Sequence, residues 1–255
     1  MNEIRIIEDI VYQENMGAAG LLDLYLPEGN ASGTLLIYFH GGGLEGGDKK
    51  DDSGVYKELA ASGIAVVSAN YRMYPLAKYP ECVEDAARSV AWSLAHVKEY
   101  AAYEHVYIGG ISAGAYLSMM LHFQPKFLAE CGVDEREIAG YIFDEGQPTV
   151  HFNVLRERGV NPKAVRVDEA APIYYLTDEQ DVNDSRKFLV LVAEHDIDGR
   201  REQNELLIST MRAFGYAKER ISYHILKGCE HAQYLYQTDE AGRHPYVGML
   251  CDFMG

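Results

Sequence analysis

The chain has 255 residues, 47% of them hydrophobic and 24% charged, which is enough apolar material to bury a sizeable core. Its 39 acids against 23 bases leave a formal net charge of −16, a balance that repels nucleic acid and anionic membrane surfaces and suits a neutral small-molecule partner. No apolar run approaches a membrane span, and Met1–Ile10 carries Glu3, Glu8 and Asp9 where a signal peptide needs a basic start. Cys82, Cys131, Cys229 and Cys251 stand far apart, without the close pairings of a zinc site or redox motif, so reduced thiols and a cytoplasmic setting are expected. No linker, repeat or low-complexity tract divides the chain, which predicts one domain over 1–255.

In chain order, Leu22, Leu24 and Leu26 alternate with Asp23 and Tyr25, which predicts a half-exposed antiparallel strand at a sheet edge. Continuous apolar runs follow at Thr34–His40, Ile64–Asn70, His105–Gly109, Ile138–Phe143, Phe188–Ala193 and Ser222–Leu226. Helical patterns lie between most of them. Val83, Ala87, Val90, Leu94 and Val97 trace one face of a helix over about Glu81 to Tyr100. Tyr116, Leu117, Met120 and Leu121 do the same after Gly114, and Leu207, Met211 and Phe214 form a third stripe that Gly215 stops. This alternation predicts an α/β fold: a mostly parallel sheet with helices on both faces. From about 147 to 181 the alternation breaks, which predicts a cap-like insertion over the active face.

Within this frame Gly110-Ile111-Ser112-Ala113-Gly114 follows an apolar strand and opens a helix, the context of a nucleophile elbow, where a tight turn projects a serine hydroxyl above the sheet. Ser112 is the candidate nucleophile. Such chemistry needs a base, a group to orient it, and donors for an oxyanion. The strand Thr34–His40 runs into His40-Gly41-Gly42-Gly43, a loop that in lipases and esterases presents backbone N–H groups, so Gly42, Gly43 and Ala113 are the candidate donors. Gly41, Gly43 and Gly46 also spell a dinucleotide fingerprint. That reading is disfavoured, because Asp48–Ser53 is polar where a helix should start and no ribose-binding acid ends the next strand. Asp48 also stands where a phosphate loop requires lysine.

Of nine histidines, His224 sits inside a strand pattern and His96 and His122 on helices, all read as structural or solvated. His231 lies just past the last strand, at the carboxyl edge of the sheet, and is the candidate base. For the acid, Glu194, Asp196 and Asp198 crowd the end of the Phe188 strand. Asp196 is preferred because its side chain can turn across to His231, Asp198 is placed to cap the coming helix, and Asp144 or Glu145 after the neighbouring strand is a further alternative.

Together these residues resemble the α/β-hydrolase superfamily, and within it the HGGG-bearing carboxylesterases of the hormone-sensitive-lipase-like and feruloyl-esterase-like groups. The resemblance extends to Asn70-Tyr71-Arg72, Tyr74-Pro75, Tyr79-Pro80, Glu84-Asp85-Ala86 and the segment Asp168 to Pro172. It implies two-step hydrolysis through an acyl-Ser112 intermediate, with no metal and no organic cofactor. Leu44 and Ala115 depart from the pattern at the border of the acyl site, so the acyl-size preference of the resembling esterases does not carry over; too few residues precede His40 for a long cap there, which points to an open pocket and short acyl chains. The expected substrates are small neutral esters, acetylated sugars or aryl esters among them. The alternatives are an amidase or peptidase resembling kynurenine formamidases, and a hydrolase-like binding protein without catalysis. Monomer and homo-oligomer both stay open.

Overall fold

The apolar runs become neighbours in one twisted sheet. The computed structural model describes residues 3–177 and 184–255. Its strands are β1 (Glu3–Val11), β2 (Leu21–Glu28), β3 (Thr34–Phe39), β4 (Ala65–Ala69), β5 (His105–Ile111), β6 (Ile138–Asp144), β7 (Lys187–His195) and β8 (Ile221–Glu230). They lie in the order β1-β2-β4-β3-β5-β6-β7-β8. All neighbours from β4 to β8 pair in parallel, whereas β2 is antiparallel to both β1 and β4.

The inner strands read as unbroken apolar runs because both of their faces are covered. Leu35, Ile37 and Phe39 point into one core, shared with α2 (Glu81–His96), α3 (Ala113–Phe123), α4 (Lys126–Glu130), α5 (Phe152–Glu157) and α6 (Arg200–Ala213). Leu36 and Tyr38 point into the other, shared with α1 (Ser53–Ala61) and α7 (Pro245–Met254). In α2, Val83, Ala87 and Val90 are fully buried, and Glu81 and Glu84 sit in the first turn, where the positive end of the helix dipole favours them. The helix closes at His96, and Val97 begins a short 3₁₀ turn that keeps its side chain in the core.

The expectation of a half-exposed edge strand at Leu22–Leu26 is overturned in two respects. The strand is antiparallel, but β1 lies outside it, and Asp23 and Tyr25 are as buried as the leucines between them. Asp23 tolerates burial because Lys49 Nζ stands 2.7 Å from its carboxylate and the Asp9 N–H donates to it at 2.8 Å. Tyr25 sets its ring against Tyr56 of α1, 5.3 Å between centroids. β1 itself eluded the pattern because a bulge between Ile7 and Ile10, with Asp9 at φ 59°, breaks its period of two.

Between β6 and β7 the chain forms α5 and a 3₁₀ turn at Pro172–Tyr175; residues 178–181 of the expected insertion lie outside the described residues. No helix among the described residues is long and apolar enough to cross a membrane. One feature of register prepares the site. His40, Ser112, Glu145, Asp196 and His231 are each the first residue after a parallel strand, namely β3, β5, β6, β7 and β8.

Candidate active site

Ser112 occupies the turn between β5 and α3 with φ 54° and ψ −108°, a backbone conformation that costs a non-glycine residue about 1–3 kcal/mol. The surroundings hold it there. The Ser112 N–H donates to the Asp144 carbonyl at 2.7 Å, and the start of α3 packs so closely on β3 that a Cβ on Gly114 would stand 1.9 Å from the Phe39 carbonyl oxygen. Ser112 Oγ lies 2.9 Å from His231 Nε2, and His231 Nδ1 lies 2.6 Å from Asp196 Oδ1. The structure therefore brings together the predicted nucleophile, base and acid.

The His40–Gly43 loop abuts this group: a Cβ built on Gly41 would be 3.6 Å from that of Ser112. His40 is buried and stacks on Tyr71 at 4.5 Å, its Nδ1 stands 2.7 Å from the Gly41 carbonyl, and the Tyr71 hydroxyl donates to the His40 carbonyl at 2.9 Å. Gly42 has φ 101° and leaves no room for a Cβ, which would meet the Gly46 oxygen at 2.0 Å, because the chain turns back there and the Gly46 N–H donates to the Gly42 carbonyl. The glycines thus form a hairpin-like loop, and the next helix, α1, starts only at Ser53. Ala113 opens α3, so its N–H has no acceptor within the helix and lies at the positive end of the dipole. Sequence reasoning noted Tyr71 but not its grip on the loop.

The Asp196 side chain is only 2% exposed, whereas Asp198 is exposed. The expected capping role of Asp198 is not found: the N-cap of α6 is Gly199, in the left-handed region at φ 77°, and no side chain caps the helix. Glu145 joins the site as well. It is fully buried at φ 54°, its Oε2 lies 3.0 Å from the same His231 Nδ1, and it accepts from the N–H groups of Ala232 at 2.6 Å and Ala193 at 3.1 Å. Its neighbour Asp144 points to the other face, where the Tyr234 hydroxyl donates to it. Burial first, and the charge of Glu145 second, push its carboxyl well above the usual range. Buried Arg200 donates to the Glu145 carbonyl. Burial disfavours the His231 imidazolium, but hydrogen bonds and charges from Asp196 and Glu145 outweigh that and raise its pKa to about 9. Glu145, Asp196 and His231 bring three metal-capable donor atoms within 4.8 Å of one another, but the donor His231 would offer is the Nδ1 that already faces both carboxylates.

His96, His122 and His224 keep away from this edge. His96 stacks on Trp92, His224 is exposed on β8, and His122 is buried among Tyr141, Phe143 and Phe188, where burial pushes its pKa well below the ordinary value. A cleft of about 720 Å³ opens beside the site, with Phe152, Val165 and Ile197 as apolar walls and Gln147, Lys163 and Asp198 as polar ones. Phe152 reaches the glycine loop, for a Cβ on Gly43 would be 2.8 Å from its ring.

Sheet order, elbow and glycine loop together give the chain an α/β-hydrolase fold, which solved esterases share. The BD-FAE family model matches residues 22–139. Among curated proteins, the chain is 34% identical over 123 residues to the probable carboxylic ester hydrolase LipM of Mycobacterium tuberculosis, covering 46% of this chain and 28% of LipM. It is 32% identical over 114 residues to the kynurenine formamidase of Danio rerio, covering 44% of this chain and 37% of that one. The match spans between 13% and 38% of the length of such curated relatives. A truncated carbohydrate esterase from gut microbiota superposes with a TM-score of 0.77 at 16% identity, over 98% of this chain and 95% of that one, a likeness of fold.

Proposed function

We propose that the protein is a serine carboxylesterase that hydrolyses small, short-acyl neutral esters through an acyl-Ser112 intermediate. The observation that carries this reading is the continuous hydrogen-bonded line from Ser112 Oγ through His231 to Asp196, beside the glycine loop. In this mechanism His231 Nε2 takes the Ser112 proton as Oγ attacks the ester carbonyl, and Asp196 holds the ring by Nδ1 and stabilises the imidazolium. The N–H groups of Gly42, Gly43 and Ala113 receive the oxyanion, where each donor is worth about 3–4 kcal/mol of transition-state stabilisation. His231 then protonates the leaving alcohol, and water, activated by the same ring, releases the acid.

The segment from 147 to 177 acts in this reading as a cap, and its cleft takes the alcohol part of the substrate. Apolar Phe152, Val165 and Ile197 suit one face of a ring, while Gln147, Lys163 and Asp198 offer polar partners, a mixture fitted to an aryl or acetylated sugar alcohol. The acetyl esterase of Salmonella typhi, 32% identical over 98 residues, supports a small acyl group. The test is hydrolysis of p-nitrophenyl acetate, butyrate and octanoate, with p-nitroacetanilide alongside. Turnover falling from acetate to octanoate is expected. Anilide turnover equal to that of the ester would instead assign an amidase.

Because the base must be a neutral imidazole in the free enzyme, kcat/KM should rise with pH to a plateau with its midpoint near pH 9, about where His231 loses its proton. A midpoint at the ordinary histidine value near 6.5 would contradict the environment described for His231. Tyr71→Phe removes the hydroxyl that holds the His40 carbonyl. It should lower kcat about fivefold with KM little changed, since one hydrogen bond of about 1 kcal/mol keeps the donors aimed. Steady-state kinetics on the acetate ester checks both expectations.

A further inference from the structure

We propose that Glu145 is a second positioning carboxylate for His231, so that the base is oriented by two acids from two adjacent strands. The proposal rests on the reading of Ser112 and His231 as nucleophile and base. Glu145 enters from the end of β6 and Asp196 from the end of β7, and both face the same ring nitrogen, at 3.0 Å and 2.6 Å. Glu145 cannot swing away. Its backbone is fixed at φ 54°, its carboxylate is clamped by two backbone donors, Ala193 on β7 and Ala232 next to His231, and no part of it is exposed. The Ala232 N–H bond is the more telling contact, since it ties the loop that carries His231 directly to Glu145.

The surroundings of the ring give the arrangement its chemical meaning. Asp196 and Glu145 face the His231 ring, the Asp144 carboxyl on the other face acts on it through charge alone, and Arg200 donates to the Glu145 carbonyl while its charge acts on Asp196 and Glu145. Burial, with the charge of Glu145 beside it, pushes the Asp144 carboxyl well above the usual carboxylate range. Two carboxyl groups facing Nδ1 from two strands hold the ring with Nε2 toward Ser112, and both favour the imidazolium by hydrogen bond and charge. The cluster is therefore complementary to the protonated ring that forms when Ser112 Oγ gives its proton to Nε2 and attacks. The proton then returns from Nε2 to the leaving alcohol.

The test follows the His231 ring Cε1–H by NMR in the whole protein, its resonance assigned by comparison with His231→Asn. It measures kcat/KM against pH in the same samples. Glu145→Gln should lower the His231 midpoint by at least one pH unit, with the kinetic midpoint moving equally. Asp196→Asn should still titrate above 6.5 and lose far less than the roughly 10⁴-fold that follows when a lone orienting carboxylate becomes an amide. The double variant should lose the full factor. An unmoved midpoint in Glu145→Gln, or an Asp196→Asn protein that titrates at or below 6.5 and is as inactive as the double variant, would overturn the proposal. If Glu145→Gln does not fold, the Asp196→Asn arm decides alone. The NMR midpoints need no substrate, so shifted midpoints without ester turnover would refute the esterase reading and leave the role of Glu145 standing.

Discussion

Replacing Ser112 with alanine should lower kcat for p-nitrophenyl acetate by about 10⁶-fold, because nucleophile and base act as one unit and losing either costs nearly the whole covalent pathway. The variant should keep the wild-type circular dichroism spectrum and melting temperature. Alanine can occupy the same turn, whose geometry is held by the Ser112 N–H bond to Asp144 and by the contact between Gly114 and Phe39 rather than by the hydroxyl. His231 would lose only its Nε2 contact and remain hydrogen-bonded at Nδ1. A slow residual rate from oriented binding beside the glycine loop is expected. A variant retaining more than about one hundredth of wild-type turnover would mean that another group attacks the ester.

Lys49→Ala should destabilise the fold by about 3–5 kcal/mol, the cost of leaving a buried charge without its partner. For a chain of this size that is a fall in melting temperature of about 10 °C. Lys49 is 3% exposed in its side chain and Asp23 is not exposed at all, so water cannot replace the missing ammonium. The Asp9 N–H would remain as a donor to Asp23, while the Asp9 carboxylate, 2.8 Å from Lys49 Nζ, is largely solvated and contributes less. Combining Lys49→Met with Asp23→Asn should recover much of the loss, because no uncompensated charge is then buried. Thermal melts of the wild type, the single variant and the double variant decide the matter. A single variant within 1 kcal/mol of wild type would show that Asp23 takes up a proton or finds water instead.

The inner strands were legible because burial on both faces leaves an unbroken apolar run, and the elbow was legible because its glycines are forced by backbone contacts as short as that of Gly114 with Phe39. The outer strands were not, for a different reason in each case. β2 reads as half-exposed only if Asp23 faces water, and its burial depends on Lys49, which is distant in sequence and brought near by the fold. β1 hides its alternation behind a bulge at Asp9. Spacing could not separate Asp196 from Asp198, since that choice turns on where β7 stops. β7 continues two residues past the predicted Ala193 to His195, and β8 extends to Glu230, with His195 opposite Glu230 after an irregularity in register. That extension makes Asp196 and His231 the first residues beyond adjacent strands. Glu145 was visible as an acid after β6, but its aim depends on a left-handed backbone angle that no residue type announces.

The five residues that head the loops at His40, Ser112, Glu145, Asp196 and His231 are anchored at strand ends, while the walls of the cleft, Phe152, Lys163, Val165 and Ile197 among them, come from the chain beyond. In the proposed esterase the residues for the chemistry thus sit at strand ends, while much of the cleft's wall comes from the chain between β6 and β7, joined by Ile197 and Asp198 directly after Asp196. Exchanges in the segment between β6 and β7 would then redirect what the proposed esterase accepts while leaving the strand ends in place, so such a scaffold could diverge in diet while keeping one chemistry.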